Sequence, residues 1–512
     1  SVSLDDEQDL KGRSGEYMVQ IIEIRDPLDL SELNQFNAKD FRWEFFNMES
    51  VKALNHLMHT SPSYKYFQLR DLILDPNTRR SLGGGFELWA GFFESFRPGK
   101  DSFYVNVNNA HAVFYEKKDL VTFLCEFLKL PALPATFNDE QQRKINKVLK
   151  HLKVRPLHRP NVRTKQSIER ISSKKAVEFT FKLGDSENTT NVKEYFKTTY
   201  NKELKHPHMV EIQTRRDEVW PLECCEIVEG QRVSLKNLNG DQLAKMITFT
   251  AVLPKLNMEK ILDEGIGRVL DFVNDPKLKD FGIRMDTRMT ATPSRILDPP
   301  TIAYHPSSKD GEKLHPNKIN GAWNLRGRKF FRSGIPLKYW FVLCCVHERF
   351  LSRLDVENFV VTLDVEKNYA PPITFIVVGK RHHVRANATD KNNTDNKGNC
   401  VPGTIIDQKI THPQLFDFYL YSHSSLQGTS RPAHYIVLHD GNKFDVDTLQ
   451  TFTYKLCYNY QRATRSVSIP PPVYYAHLSA KHARTHVTKG KNGFELPPVL
   501  PSLAQNYPMY FM

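Results

Sequence analysis

The sequence predicts an α/β chain of several domains, and three observations carry that expectation. Its 512 residues exceed the roughly 150 that one domain usually holds. Hydrophobic residues make up 40% of the chain and include 32 Phe, enough apolar material for more than one core. Strand-like alternation and helical spacing also follow one another closely, most clearly in residues 416–477. There, Phe416–Tyr421 reads as a buried strand, residues 422–431 as a polar loop rich in hydroxyls and amides, and residues 434–438 as a second strand. Asp445 is placed to cap a helix presenting Leu449, Phe452, Leu456 and Tyr460 at helical spacing. That helix is expected to end in a basic, hydroxyl-rich turn holding Arg462, Thr464, Arg465, Ser466 and Ser468. The prolines at 470, 471 and 472 should stop it.

Charge and cysteine usage narrow the function classes. The net charge of +13 favours a polyanionic partner, although charge alone does not single out nucleic acid. Seven cysteines show no metal-ligand spacing. With their adjacent pairs at 224–225 and 344–345, they read as buried thiols of a reducing compartment. No signal-peptide pattern is visible, so the sequons at Asn188, Asn387 and Asn392 are expected to carry no sugar. The longest apolar run, near residues 339–346, is too short to cross a bilayer.

In chain order, the first dozen residues are acidic and polar. A strand is expected over residues 17–24, with helical pieces over 30–36 and 47–59. Residues 81–100 read SLGGGFELWAGFFESFRPGK. A glycine-rich phosphate cradle would need a following Lys-Ser/Thr, which is absent, so the glycines predict a tight turn. Alternation over residues 102–115 gives way to an amphipathic helix over 120–128. Residues 140–175 then carry Arg143, Lys144, Lys147, Lys150, Lys153, Arg155, Arg159, Arg163 and Lys165. Such a run is ordinarily a solvated face. Here it adjoins aromatic, strand-like segments (VEFTF at 177–181, EYFKTTY at 194–200), a combination suited to single-stranded nucleic acid. Residues 241–273 read as helical, interrupted at Pro254. The Asn- and Lys-rich loop 387–403 reads as disordered.

Four words near the end, ITFIVVGKRHH, SHSSLQGTSRPAHY, LCYNYQRATRSVSIP and YYAH, occur in the order found in the C-terminal half of the Piwi domain of Argonaute proteins, which this region resembles. Residues 81–100 resemble the first Argonaute linker, with its glycine turn before Trp89, and residues 281–306 resemble the second. KEYFKTTY, KHPHMVEIQ and PLECCEIVEGQR resemble the PAZ domain, which in that family holds the 3′ end of a guide RNA. Residues 321–345 resemble the approach to the MID domain and its first strand. The resemblance implies an α/β multidomain protein. It would comprise a partial N domain (1–75), a first linker (76–112), an OB-like PAZ barrel (113–248) and a second linker (249–332). A MID stub (333–352) and the C-terminal part of Piwi (353–512) follow, the latter with an incomplete ribonuclease-H-like sheet.

The resemblance also implies binding residues. At the guide 3′ end, Tyr195 and Tyr200 would bond the terminal phosphodiester, with His158 assisting and Phe179 or Phe181 packing on the last nucleotide. Either tyrosine alone reads equally as a core aromatic. The family often places a tyrosine in the basic turn, and RTKQSIERI (163–171) has none. Lys380, Arg381, His382, Arg385, His423, Gln427, Thr429 and Arg431 match positions on the guide backbone. Arg462, Arg465, Ser468 and Tyr474 match positions near its 5′ end. Contacts of this kind position a strand without reading its sequence.

Between residues 350 and 367 the resemblance breaks. Most of MID, including the pocket for a 5′ phosphate, and the Piwi strand bearing the first catalytic aspartate have no counterpart. Slicing Argonautes hold two Mg²⁺ ions with an Asp-Glu-Asp-His/Asp tetrad. Only the fourth position is present, as a vestigial His477. Asp355 lies too close to Ile373 and lacks the family's Arg-Asp-Gly setting. One imidazole does not assemble two hard cations that prefer oxygen ligands, so neither metal nor other cofactor is expected. The expectation is therefore a small-RNA-binding, Argonaute-like protein of gene silencing without slicer activity. Its partners would be a single-stranded guide, a target RNA and silencing-complex proteins, with no membrane, in the cytoplasm or alternatively the nucleus. The competing reading is a truncated splicing or gene-model product of a slicing Argonaute with no independent function.

Overall fold

The N-terminal half is organised by one long antiparallel hairpin. In this computed structural model, residues 48–329 are described except 135, 160–164, 183–188, 208–209, 215–217 and 310, and so are residues 374–495 except 491–492. The strand expected at 17–24, the helical piece at 30–36 and the apolar run at 339–346 lie outside them. Helix α1 (Met48–Ser63) precedes a four-stranded meander of β1 (Phe67–Leu69), β2 (Leu72–Gly83), β3 (Phe86–Pro98) and β4 (Phe103–Tyr115). Strands β3 and β4 pair over their whole length, from Phe86–Tyr115 to Pro98–Phe103. The expected tight turn joins β2 to β3, and Gly83, Gly84 and Gly85 all have positive φ. A Cβ on Gly85 would stand 2.3 Å from the Phe123 ring, so the turn admits only glycine there. Trp89 lies buried behind it, stacked on Phe114 at 4.1 Å and donating to Glu87 Oε1 at 2.8 Å.

Helix α2 (Leu120–Leu128) occupies the residues read as amphipathic. Asp119 caps it by accepting from Thr122 N, and Leu120, Phe123 and Leu124 are buried. Helix α3 (Asp139–Leu149) opens with a capping box between Asn138 and Gln141 and buries Ile145, Val148 and Leu149. Strands β5 (Lys153–Pro156) and β6 (Gln166–Lys175) come next. The hairpin β7 (Thr180–Lys182) and β8 (Thr189–Asn191) then leads into helix α4 (Val192–Tyr200), followed by β9 (Val210–Thr214), β10 (Val219–Pro221) and β11 (Cys225–Ile227). The PAZ-like region was expected to be a barrel. Its sheet runs β10-β9-β6-β5-β11 and is open, because no ladder joins β10 to β11 among the described residues. A single core holds Leu82, Phe86 and Val113 of the meander together with Ile145, Val154, Ile212 and Trp220. The meander and this sheet are thus one packed unit, and a boundary at residue 113 falls inside β4.

Helices α5 (Gly240–Thr250) and α6 (Pro254–Glu259), then a π-helical run over Lys260–Leu270 and α7 (Pro276–Asp280), fill the segment read as helical and broken at Pro254. Pro254 takes the first position of α6, where its missing N–H has no intrahelical partner to lose. The short strands β12 (Arg295–Ile296), β13 (Ile302–Ala303) and β14 (Lys313–Leu314) follow.

The C-terminal half is an antiparallel sheet, β12-β16-β17-β18-β15, built from β15 (Thr374–Gly379), β16 (Thr404–Ile406), β17 (Phe416–Tyr421), β18 (Ala433–Asp440) and the borrowed β12. Helix α8 (Val446–Leu456) packs Tyr454 against Phe418, Leu420 and Tyr435. Asp445 caps it as expected, accepting from Thr448 N at 2.8 Å. Its buried face is Leu449, Gln450, Thr453 and Tyr454, whereas Phe452 is 52% exposed and Tyr460 lies past the end. The helix stops at Leu456, well before the prolines, which instead open α9 (Pro471–His486). Loop 387–403 is packed rather than disordered. Asp395 accepts from Lys397 N, Asn399 N and Ser424 Oγ, while Asn399, 1% exposed, bridges Gly428 O and Ser430 N. Such satisfied buried polar groups give order that a composition-based reading misses. A stack of His383 on Phe93 at 3.8 Å ties the two halves together, as does Lys100 Nζ donating to Asp407 O. No helix among the described residues is long and apolar enough to cross a membrane.

Candidate nucleic-acid interface

The first site is an aromatic and hydroxyl pocket on the β5–β11 sheet. Helix α4 begins at Asn191, which accepts from Glu194 N, and ends at Asn201 in the left-handed conformation. Phe196 points into the local core with Val192, Leu204 and Cys224. Tyr195 and Tyr200 remain half-buried on its rim. His158, just past β5, meets the rings of Phe196 and Tyr200 edge-on, both at 4.8 Å. Phe181 meets Tyr195 at 5.2 Å, and Phe179 packs on the same cluster. All five residues expected at a 3′-end site therefore stand together. Burial, then Arg159 and Lys202, push the His158 imidazole down to about 4, so it is neutral at pH 7. A hydrogen bond to Tyr200, then burial, hold the Tyr195 phenol above its usual range. Arg159 was read only as part of a basic run. It donates from Nε to Tyr200 Oη at 2.8 Å, donates to the same oxygen from Nη2, and lies 5.4 Å from the ring centroid.

The second site is a cleft of about 310 Å³ at one end of the C-terminal sheet. The pairing of Gly379 with His434 brings the residues after β15 beside those before β18. Lys380 and Arg381 therefore face Arg431, with His423 from the end of β17 and Ser468 from the turn before α9 completing the lining. Burial, then Arg465, lower His423 to about 4, leaving it neutral. Burial, then Arg381, also depress the Arg431 guanidinium. Among the described residues no carboxylate pairs with Lys380, Arg381 or Arg431. Three cations converging without a counter-charge make a place for an anion.

The other expected residues fall into two groups. Arg465 donates to Ser424 O at 2.9 Å beside the cleft, Tyr474 packs on Tyr460 at 4.8 Å, and Arg462 and Gln427 are exposed. Three are engaged inside the protein instead. His382 bonds Pro432 O at 2.8 Å, and burial lowers it to about 4. Arg385 turns back onto the carbonyls of His382 and Val384, and burial lowers it to about 10. Thr429 donates to Val252 O. Each bonds a backbone carbonyl of a neighbouring connecting segment, and that bond takes the side chain away from the cleft. His477 is exposed on α9. Among the described residues no group of three or more His, Cys, Asp or Glu could hold a metal ion, so the donors present there do not fit a pair of Mg²⁺ ions.

The two sites and their scaffold define a multidomain α/β protein with one aromatic–hydroxyl pocket and one cationic cleft. Comparison with known domain families gives the order Argonaute linker 1 domain (62–116), PAZ domain (128–247), Argonaute linker 2 domain (256–304), Mid domain of argonaute (316–369) and Piwi domain (353–488). Protein argonaute PNH1 of Oryza sativa subsp. japonica is 25% identical over 95% of this chain and 74% of its own length. Protein argonaute 1A of the same organism is 25% identical over 86% of this chain, which covers 63% of that relative. The solved Kluyveromyces polysporus Argonaute with a guide RNA shares the fold at a TM-score of 0.55, with 16% identity over 85% of this chain and 78% of its own. The chain belongs to the Argonaute family.

Proposed function

We propose that this protein binds single-stranded small RNA in RNA-guided silencing and does not cut the target. The observation that carries this is the cleft in which Lys380, Arg381 and Arg431 converge with no carboxylate partner among the described residues. The tyrosine pocket supports it from the other half, as a site for the 3′ end. The absence of cutting rests on the ligand chemistry. His477 is the one position matched to the family tetrad, and no carboxylate cluster stands with it among the described residues. The alignment with protein argonaute PNH1 runs over 737 positions, against 512 residues here. At least 225 of those positions (737 minus 512) therefore face no residue of this chain, which supports an internal deletion. The test is binding of a labelled small RNA by wild type and by Arg381→Ala with Arg431→Ala. Unchanged affinity in the double variant would remove the cleft from the proposal.

A second reading, a truncated product of a slicing relative, is favoured by one specific observation. Strand β15 ends the C-terminal sheet, nothing described pairs with its outer edge, and Phe375 and Val377 are 49% and 41% exposed. An apolar open edge is a template for aggregation. Recovery of the full chain only as aggregate would favour this reading, and a monodisperse chain with a cooperative melt would count against it.

A further inference from the structure

We infer that Arg159 is a phosphate-pairing residue of the 3′-end pocket. The inference rests on the 3′-end reading above and deepens it. Two N–H groups of Arg159 converge on one oxygen, Tyr200 Oη, from Nε at 2.8 Å and from Nη2. The Tyr195 ring meets that of Tyr200 edge-on at 5.7 Å. A phenolic oxygen has two lone pairs and one proton to give. With the two Arg159 N–H groups taking the lone pairs, the Tyr200 proton is left to point away from the guanidinium and to seek an acceptor.

Arg159 itself is exposed, and its Nη1 has no partner among the described residues. One polarised O–H and one guanidinium edge therefore present donors side by side, next to a neutral His158 that adds no competing charge. A phosphodiester oxygen matches that pair, because charge-assisted donors prefer an ionised acceptor and a guanidinium presents its N–H groups in a fixed plane. The exposed cations of α3 and β5, such as Lys144 and Arg155, already have carboxylate partners in Glu140 and Glu226. Arg159 is instead hydrogen-bonded to a tyrosine and has no carboxylate in ion-pair contact among the described residues, with Glu218 acting on it only through its more distant charge.

The test uses the full chain and two single-stranded RNAs, one with a free 3′ hydroxyl and one with a bulky 3′ block. Wild type should prefer the free end. Arg159→Gln should lose about tenfold in affinity for free-ended RNA and lower its salt slope by about 0.7, the value for one phosphate contact on a single strand. Binding of blocked RNA should not change, which also serves as the folding control. Arg159→Lys, which keeps the charge and loses the planar fork, should fall between. Wild type that discriminates while Arg159→Gln discriminates equally well overturns the role of Arg159 and leaves the pocket intact. Wild type that binds both RNAs equally overturns the 3′-end reading and this inference with it.

Discussion

Glu94 makes the fold sensitive to pH. It sits on β3, fully buried, with neither carboxylate oxygen hydrogen-bonded and with His59 Nε2 3.7 Å away. Burial, then the charge of Asp275, raise it to about 8. Because the folded pKa lies above the ordinary 4.5, the folded chain binds more protons than the unfolded one between the two values. Its contribution is therefore complete below about 4.5 and is lost as pH rises through 8. Glu94→Gln should raise the melting temperature little at pH 5 and by several degrees at pH 8; an equal gain at both pH values would contradict the assignment. At Gly85, alanine meets both a positive φ and the Phe123 ring, so Gly85→Ala should cost more than about 1 kcal/mol in a denaturant titration. A stability loss below that would show that the turn relaxes. Single-residue roles were unevenly legible in the sequence. Asp445 was readable as a cap because capping is local, with Thr448 only three residues away. Arg159 was not, because Tyr200, 41 residues on, is what distinguishes it from its basic neighbours.

At the scale of elements, local chemistry decided what could be read. Helix α2 and the β2–β3 turn are set by nearby caps and glycines, and both stand where the sequence put them. The face of α8 was misread because Gln450 and Thr453 are buried: Gln450 bonds Asp407, and Thr453 bonds back to Leu449 O. A hydrophobic periodicity does not count such polar residues as core. The prolines at 470–472 carry two meanings, a helix stop and a helix start, and only the chain beyond them selects the second. The cleft draws on residues 380, 381, 423, 431 and 468, which share no local pattern. The resemblance could nominate them, and the β15–β18 register brings them together. If they act as one anion site, Arg381→Ala with Arg431→Ala should reduce the salt slope of RNA binding by about 1.4, two single-strand contacts. A slope that stays at its wild-type value would mean that RNA passes elsewhere.

At the scale of the whole molecule, the two sites lie in different halves, joined by contacts such as the Phe93–His383 stack and the Lys100–Asp407 bond. A strand held at two points is retained far longer than at either alone. The cleft is half open to solvent, so its cations should attract phosphate without sorting one kind from another. Competition between 5′-phosphorylated and 5′-hydroxyl RNA should therefore show less than about tenfold preference, or ~1.4 kcal/mol. A larger preference would mean that a 5′-phosphate pocket exists elsewhere in the chain. Binding without cutting is the central claim, and one experiment addresses both of its parts. The full chain, loaded with a small RNA, is mixed with an end-labelled complementary target in Mg²⁺ or Mn²⁺, and the target is resolved on native and denaturing gels. The expected result is a retarded target of unchanged length. A shortened product, cut opposite the guide and above the level given by His477→Ala, would contradict it.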